Sequence, residues 1–154
     1  MLGIPSSVNI LKHVEGPQAD SQSCFFIESG HLMEFIEVNF KKIVFLFFGP
    51  GEFAIQCHPD SNLQCLGDVH GKKFPHEDVV RLLKEFPETR EAYRGIRKEY
   101  YEKVAERLRL QQMPVEKRFE HLQKNQPWVF DLADRKNIAC YLGISLSILE
   151  KLTR

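Results

Sequence analysis

Residues 135–154 hold the side chains whose chemistry best fits recognition of a charged polymer. Arginine and lysine can neutralise phosphate groups, while serine, glutamate and lysine can form hydrogen bonds with the edges of bases. The candidate phosphate contacts are Arg135, Lys136 and Arg154, and the candidate base contacts are Ser145, Ser147, Glu150 and Lys151. These residues predict a DNA interface if the segment folds so that they share one surface.

The apolar residues of this segment have the spacing of a helix-turn-helix. Ile138 and Leu142 form an apolar stripe on a first helix, and Ala139 is small enough for a second helix to cross closely. Gly143 can end the first helix in the left-handed conformation, and Ile144 then plugs the turn.

The sequence offers two candidates for the N-cap of the second helix and two for its inward-facing residue. Ser145 or Ser147 can cap it, and Ile148 or Leu149, together with Leu152, gives it an inward face. An ordinary antiparallel helix pair with a glycine turn is the alternative interpretation of the segment.

The chain of 154 residues has no net charge, but the charge is unevenly distributed. Residues 1–88 contain 7 Lys+Arg and 12 Asp+Glu, whereas residues 89–154 contain 14 and 9. This split indicates two modules, with any phosphate contacts made by the basic one, although a basic surface without a ligand is the alternative. We expect a front domain over 1–88, a long helix over 89–113 and a helix-turn-helix domain over 114–154.

No pattern typical of a metal, cofactor or catalytic site is present. The four cysteines form no CxxC pair and the six histidines are dispersed, so we expect reduced, mostly buried thiols, no cofactor and no metal site. His58 beside Cys57, or His70 and His76 near Cys65, could form a site only if the fold assembled it. No nucleophile, base and orienting group share a motif, so we do not expect an enzyme.

No segment is expected to enter a membrane. The longest apolar run, Ile43–Phe48, is far shorter than the roughly 20 residues that cross a bilayer. Residues 1–10 lack the basic start and long apolar core of a signal peptide. A cytoplasmic location is therefore expected.

The front domain is predicted to consist of short strands separated by turns. The strands cover Cys24–Glu28, His31–Val38, Ile43–Phe48, Leu63–Leu66 and Val69–Phe74, and residues 8–14 form a further strand or a short helix. Broken alternation in His31–Val38 predicts a bulge, with Glu34 and Glu37 in solvent. With the helices that follow, this pattern predicts an α+β fold built on an antiparallel sandwich or roll.

Two helices are predicted after the strands. The first should begin at residues 75–78, with His76 or Asp78 near its cap. Thr89 is expected to cap a long second helix, which Met113-Pro114 stops. Its apolar stripe is Tyr93, Ile96, Tyr100, Val104 and Leu108. The stripe must be buried against the front domain or against a second copy, and we favour a homodimer through the long helix because paired helix-turn-helix modules read paired half-sites.

A further helix should connect the long helix to the C-terminal segment. It is expected over Val115–Lys124, with Phe119 and Leu122 facing inward, and Trp128 is expected in the core.

Several strings together resemble Crp/Fnr-type regulators. Phe26–Gly30, Phe47–Phe53 and Asp78–Glu88 are similar to the family's ligand-sensing β-roll, and Glu116–Phe119 followed by Asn137–Ser145 resembles its short-form rear half. The resemblance runs from residue 24 to the C-terminus. It implies a cyclic-nucleotide-binding-like roll, a long dimerisation helix and a helix-turn-helix that binds promoter DNA. In the family, a signal such as a small-molecule effector, sensed by the roll, changes how the DNA-binding heads are placed.

The sequence departs from the family at its ligand site. Nucleotide-binding members place a short helix after the Gly-Pro-Gly turn and use a Glu for the ribose and an Arg for the phosphate. Here Phe53–Asn62 contains no Arg and only one acidic residue, Asp60, and Glu52 matches the turn. We therefore expect that the protein does not bind cyclic AMP or cyclic GMP.

The recognition helix also departs from the family, whose heads usually carry arginines there. Glu150 would repel phosphate but can accept a hydrogen bond from cytosine, and Leu146 can contact the thymine methyl. The sequence predicts a dimeric DNA-binding transcription regulator with a divergent sensor roll. A relative that no longer binds DNA and keeps the fold as a small-molecule sensor or protein-interaction module is the alternative.

Overall fold

The computed structural model describes residues 7–8, 13–14, 24–55 and 60–154. Residues 9–12 of the predicted first element, together with Cys57 and His58, lie outside the described residues. The strands are β1 Ser7–Val8, β2 His13–Val14, β3 Cys24–Ser29, β4 Leu32–Val38, β5 Lys41–Phe48, β6 Phe53–Ile55, β7 Ser61–Cys65 and β8 His70–Phe74. The helices are α1 His76–Glu85, α2 Thr89–Gln111, α3 Val115–Asn125, α4 Val129–Leu132, α5 Arg135–Leu142 and α6 Leu146–Leu152.

The strands form two small antiparallel sheets. One has the order β1-β8-β3-β6 and the other the order β2-β7-β4-β5. The register pairs Leu32 with both Phe48 and Cys65, so β4 is an interior strand of its sheet. The predicted α+β fold with an antiparallel β-roll is confirmed.

Strand β4 is covered on both faces, which corrects one prediction. The predicted bulge is present, since the register with β5 shifts between Glu34 and Phe35. Leu32 belongs to the core inside the roll, whereas Met33 and Phe35 belong to a second core under the C-terminal helices. Glu34 was predicted in solvent and is instead fully buried at 0% exposure. The alternation that predicted an exposed face was misleading because both faces of this strand are packed.

One predicted cap is right in position and one is wrong. Pro75 occupies the N-cap of α1 and His76 is the first residue of the helix, so this helix begins where it was predicted. Thr89 is the first helical residue of α2, and its hydroxyl donates to the carbonyl oxygen of Phe86 at 2.6 Å. The side chain therefore fastens the α1–α2 connection and does not cap the long helix.

The long helix α2 packs on the roll. Tyr100 is buried in the roll core, and Tyr93, Ile96 and Val104 pack against that core. Leu108, the last residue of the predicted stripe, is 54% exposed. The stripe is thus buried against the front domain, and not against a second copy as predicted. None of the helices in the described part of the chain is long and apolar enough to cross a membrane.

Residues 114–154, hereafter the head, share a hydrophobic core with the roll. Val44 and Phe47 of β5 pack in one cluster with residues of the head such as Leu122, Ile138 and Leu149. Trp128 packs against this cluster, as predicted, with its ring edge on Phe47 at 5.9 Å between centroids. The head is therefore held against the outer face of the β4–β5 pair.

Candidate nucleic-acid interface and its connection to the roll

Helices α5 and α6 form the predicted helix-turn-helix. Gly143 ends α5 with φ 68° and ψ 35°, the left-handed conformation that glycine adopts without a steric penalty. The amide of Ile144 donates to the carbonyl oxygen of Ala139 at 3.0 Å and closes the turn. Ile138, Ala139 and Leu142 are buried, so the inward face of α5 is as predicted.

The structure selects one residue from each pair of alternatives in the second helix. The hydroxyl of Ser145 accepts from the amide of Ile148 at 3.2 Å, so Ser145 and not Ser147 caps α6. Leu149 is buried, whereas Ile148 is 41% exposed. Leu152 is half-buried beside Leu149 and completes the inward face.

The residues predicted to contact DNA are all exposed. They are Arg135, Lys136, Ser145, Ser147, Glu150, Lys151 and Arg154. Three of them also have structural partners: Ser145 caps α6, the hydroxyl of Ser147 lies 3.1 Å from that of Ser145, and Arg135 Nη2 donates to Thr153 Oγ1 at 2.6 Å. Lys136, Lys151 and Arg154 form no hydrogen bond or ion pair with any residue that the structure describes. Their charges are therefore available to a ligand.

An arginine from α3 supports the turn between the two helices. Arg118 Nη1 donates to the carbonyl oxygen of Leu142 at 2.7 Å, at the C-terminal end of α5. A Cβ atom at position 143 would lie 3.0 Å from the same Nη1. Gly143 is thus suited to this position both by its backbone angles and by the close approach of Arg118.

A second arginine connects the head to the roll. Arg107 of α2 is only 5% exposed and donates to two carbonyl oxygens, that of Tyr141 in α5 at 2.7 Å and that of Val44 in β5 at 2.8 Å. Its guanidinium also lies 4.2 Å from the ring centroid of Tyr141. One side chain therefore joins the long helix, the edge strand and the head.

Cys140 adds to this junction along the same edge of β5. Its thiol accepts from the amide of Val44 at 3.4 Å and donates to the carbonyl oxygen of Lys42 at 3.3 Å. These backbone groups of β5 face away from β4, where an unpaired edge would otherwise be open to another strand. Helix α5 thus covers the edge of the sheet.

The roll contains a buried carboxyl group in contact with α2. Tyr100 Oη lies 3.0 Å from both carboxylate oxygens of Glu34. Burial raises the pKa of Glu34 to about 7, although hydrogen bonds from Tyr100 and Ser61 act in the opposite direction. A titratable side chain inside the roll is therefore hydrogen-bonded to the long helix.

The turn after β5 is held by Glu52. Its Oε1 accepts from the amide of Gly49 at 3.1 Å, and its Oε2 pairs with Lys103 of α2. Lys103 also donates to the carbonyl oxygen of Phe47 at 2.8 Å. Glu52 is thus engaged within the protein.

Sequence reasoning missed Glu34 and Arg107 as residues that couple the parts of the fold. A signal existed for Glu34, a carboxylate between Met33 and Phe35 in an apolar strand. The signal for Arg107 was weaker. It was only the position of this residue, one turn after Val104 on the buried side of α2. In the described part of the chain, no group of three or more His, Cys, Asp or Glu residues could hold a metal ion.

Comparison with known proteins supports the fold. No family model matches the sequence, and no curated protein matches it. Among solved structures, FixK2 from Bradyrhizobium japonicum has a TM-score of 0.79 at 11% identity, over 97% of this chain and 83% of FixK2. A protein described as a transcriptional regulator of the crp/fnr family from Eubacterium rectale has a TM-score of 0.77 at 11% identity, over 96% and 76%.

A CooA mutant from Carboxydothermus hydrogenoformans is also similar, with a TM-score of 0.68 at 13% identity over 96% of this chain and 73% of that one. Likeness at such low identity establishes a shared fold and leaves function to be argued from the site. The chain has the fold of the Crp/Fnr-type regulators, including their cyclic-nucleotide-binding-like roll.

Proposed function

We propose that the protein is a DNA-binding transcription regulator of the Crp/Fnr type that acts in the cytoplasm. The observation that carries the proposal is the helix-turn-helix, with its left-handed Gly143 turn, its Ser145 cap and an outward face of exposed polar residues. The matched solved structures of regulators share the fold over 97% and 96% of this chain, so they include the roll as well as the helix-turn-helix. Helix α6 is the recognition helix, which in such modules lies in the major groove.

We infer the contacts from the exposed polar residues of α5, α6 and the residues that flank α6. Lys136, Lys151 and Arg154 are cations without a protein partner among the described residues, and we infer that Lys136 and Arg154 bind phosphates. Ser147, Glu150 and Lys151 meet base edges, and a glutamate there accepts from the amino group of cytosine. Arg135 adds a phosphate contact at the start of α5, while its bond to Thr153 fixes the spacing of the two helices. Ser145 contacts a base edge in addition to capping α6.

We propose a homodimer through an exposed face of α2 that includes only Leu108 of the predicted stripe. Tyr101 and Leu108 are exposed, and Ala105 lies between them at steps of four and three residues, which is the spacing of a two-helix contact. Leu108→Glu is expected to dissociate this dimer in sedimentation experiments. Val80→Glu, which changes an equally exposed apolar residue on α1, is the matched control.

The test of DNA binding is fluorescence anisotropy with a duplex selected from random sequence, at several salt concentrations. Each phosphate contact contributes about 0.9 to the slope of log affinity against log salt, so Lys136→Ala should reduce the slope. Lys151→Ala should weaken binding and relax sequence preference. Lys84→Ala on α1, an exposed lysine remote from the motif, should change neither. Binding with no salt slope and no sequence preference would refute the proposal.

We further propose that the roll does not respond to cyclic AMP, because Glu52 is paired with Lys103 and bonded to the turn. A native-state ligand must raise the melting temperature, so cyclic AMP should leave it unchanged.

A second candidate function rests on the shared core between the roll and the head. Arg107 and the apolar cluster fix the head on the roll, which would suit a sensor or interaction module that no longer binds DNA. The anisotropy experiment separates the two functions.

A further inference from the structure

An apolar cavity of about 190 Å³ lies between the roll, α1 and α2. Its walls are formed by Cys24, Phe53, Phe74, Val79, Leu82, Leu83, Thr89, Ala92, Tyr93 and Ile96. They offer no polar surface to the interior, and the hydroxyl of Thr89 is engaged by the carbonyl oxygen of Phe86. A dry cavity of about 150 Å³ takes up benzene, so this one can accept an alkyl chain or a single ring.

A basic groove adjoins the cavity. It runs along α1 and α2, has a volume of about 510 Å³, and shares Leu83 and Tyr93 with the cavity. Arg90, Arg94 and Arg97 recur along the groove at steps of four and three residues and so lie on one face of α2. No carboxylate is among the residues that line it.

Two of these arginines, Arg90 and Arg94, carry a positive charge that can pair with an anionic ligand. Arg90 Nε donates to the carbonyl oxygen of Leu83 at 3.1 Å, which holds the guanidinium where the cavity and the groove meet. Arg94 is exposed and has no hydrogen bond or ion pair with the described residues. Arg97 is engaged with Tyr101, whose hydroxyl lies 3.3 Å from Nη2. The positive charge of Arg90 and Arg94 is not neutralised by a neighbouring carboxylate among the described residues.

We propose that this junction binds a small amphipathic anion, with its alkyl chain in the apolar cavity and its carboxylate at Arg90 and Arg94. Guanidinium and carboxylate can form two parallel charge-assisted hydrogen bonds, and the apolar walls exclude a polar tail. A medium-chain monocarboxylate such as octanoate has this chemistry. The inference goes beyond the proposed DNA binding and does not depend on it, since no residue of the head lines the site. Tyr101 of the groove also belongs to the proposed dimer face, whereas Arg90 and Arg94, which bind the carboxylate, do not.

The test is calorimetric titration of the full chain, without DNA, using octanoate, 1-octanol and acetate. Octanoate should bind and raise the melting temperature, 1-octanol should bind more weakly because it lacks the charge, and acetate should not bind because it lacks the chain. The double variant Arg90→Ala/Arg94→Ala should bind octanoate about tenfold more weakly and 1-octanol as before. Arg109→Ala, on the same helix but outside both linings, is the control.

The position of the ligand can be read from nuclear Overhauser effects between octanoate and the methyl groups of Val79 and Ile96, both in the cavity wall. Contacts to those methyl groups would support the proposal. The proposal is overturned if the unmodified chain does not bind octanoate, if 1-octanol binds as tightly as octanoate, or if the contacts arise elsewhere. The ligand series on the unmodified chain decides the matter even if the double variant fails to fold.

Discussion

Replacing the buried Glu34 by glutamine should flatten the dependence of stability on pH. Burial raises the pKa of Glu34 from its ordinary 4.5 to about 7 in the folded protein. Between these values the native state retains a proton that the unfolded chain has lost, so the free energy of unfolding falls as pH rises. At about 1.36 kcal/mol per pKa unit, the whole window corresponds to about 3 kcal/mol.

The assay is urea denaturation of the wild type and Glu34→Gln at a series of pH values across this window and above it. Glutamine keeps the shape of the protonated carboxyl and can still accept from the hydroxyl of Tyr100. The variant should therefore become more stable than the wild type as pH rises, by about 3 kcal/mol above pH 7. Glu37→Gln, on the exposed end of the same strand, is the matched control.

The reasoning is refuted if Glu34→Gln and Glu37→Gln give the same difference from the wild type at every pH. Tyr100→Phe provides an independent check on the direction. It removes a hydrogen bond that lowers the pKa of Glu34, so the loss of stability should move to higher pH.

Three further predictions concern stability and reactivity. Arg107→Met leaves the buried carbonyl oxygens of Tyr141 and Val44 without their donor, so it should lower the free energy of unfolding by about 2–5 kcal/mol in urea denaturation. Arg107→Lys should lower it less. A loss near zero for Arg107→Met would contradict the role of Arg107 at the junction. Phe40 is fully exposed in the β4–β5 turn and has φ 63°, a left-handed conformation that is strained for any residue except glycine. Phe40→Gly should therefore stabilise the protein by about 1 kcal/mol in the same assay. Destabilisation would show that the turn is not strained. Burial raises the pKa of Cys65 to about 12, so this thiol should resist iodoacetamide at pH 8 until the protein is unfolded, as peptide mass spectrometry would show.

The helix-turn-helix was predictable because its determinants are local. A glycine that must adopt a left-handed conformation, a serine that caps the next helix and apolar residues at helical spacing all act within a few residues of one another. The structure confirmed Gly143 and chose Ser145 and Leu149 from the alternatives. The strands were likewise marked by glycine turns, and even the bulge at Glu34 followed from the broken alternation.

What remained undetermined depended on partners distant in the sequence. Glu34 was expected in solvent because one strand does not show that Tyr100 of α2 will lie against its carboxyl group inside the roll. The stripe of α2 could not show whether the roll or a second copy would bury it, since both offer an apolar surface. Arg107 could not be distinguished from a solvent-exposed helical arginine until two carbonyl oxygens, in β5 and α5, converged on it.

The sequence by itself determined the helix-turn-helix, the antiparallel strands and the long helix, because periodicity and turn chemistry act over short distances. Only the tertiary structure decided how these parts are joined: Glu34 with Tyr100 inside the roll, Arg107 between the roll and the head, and the apolar cavity beside Arg90. Each of these arrangements depends on burial, which is a property of the whole fold and not of any one segment.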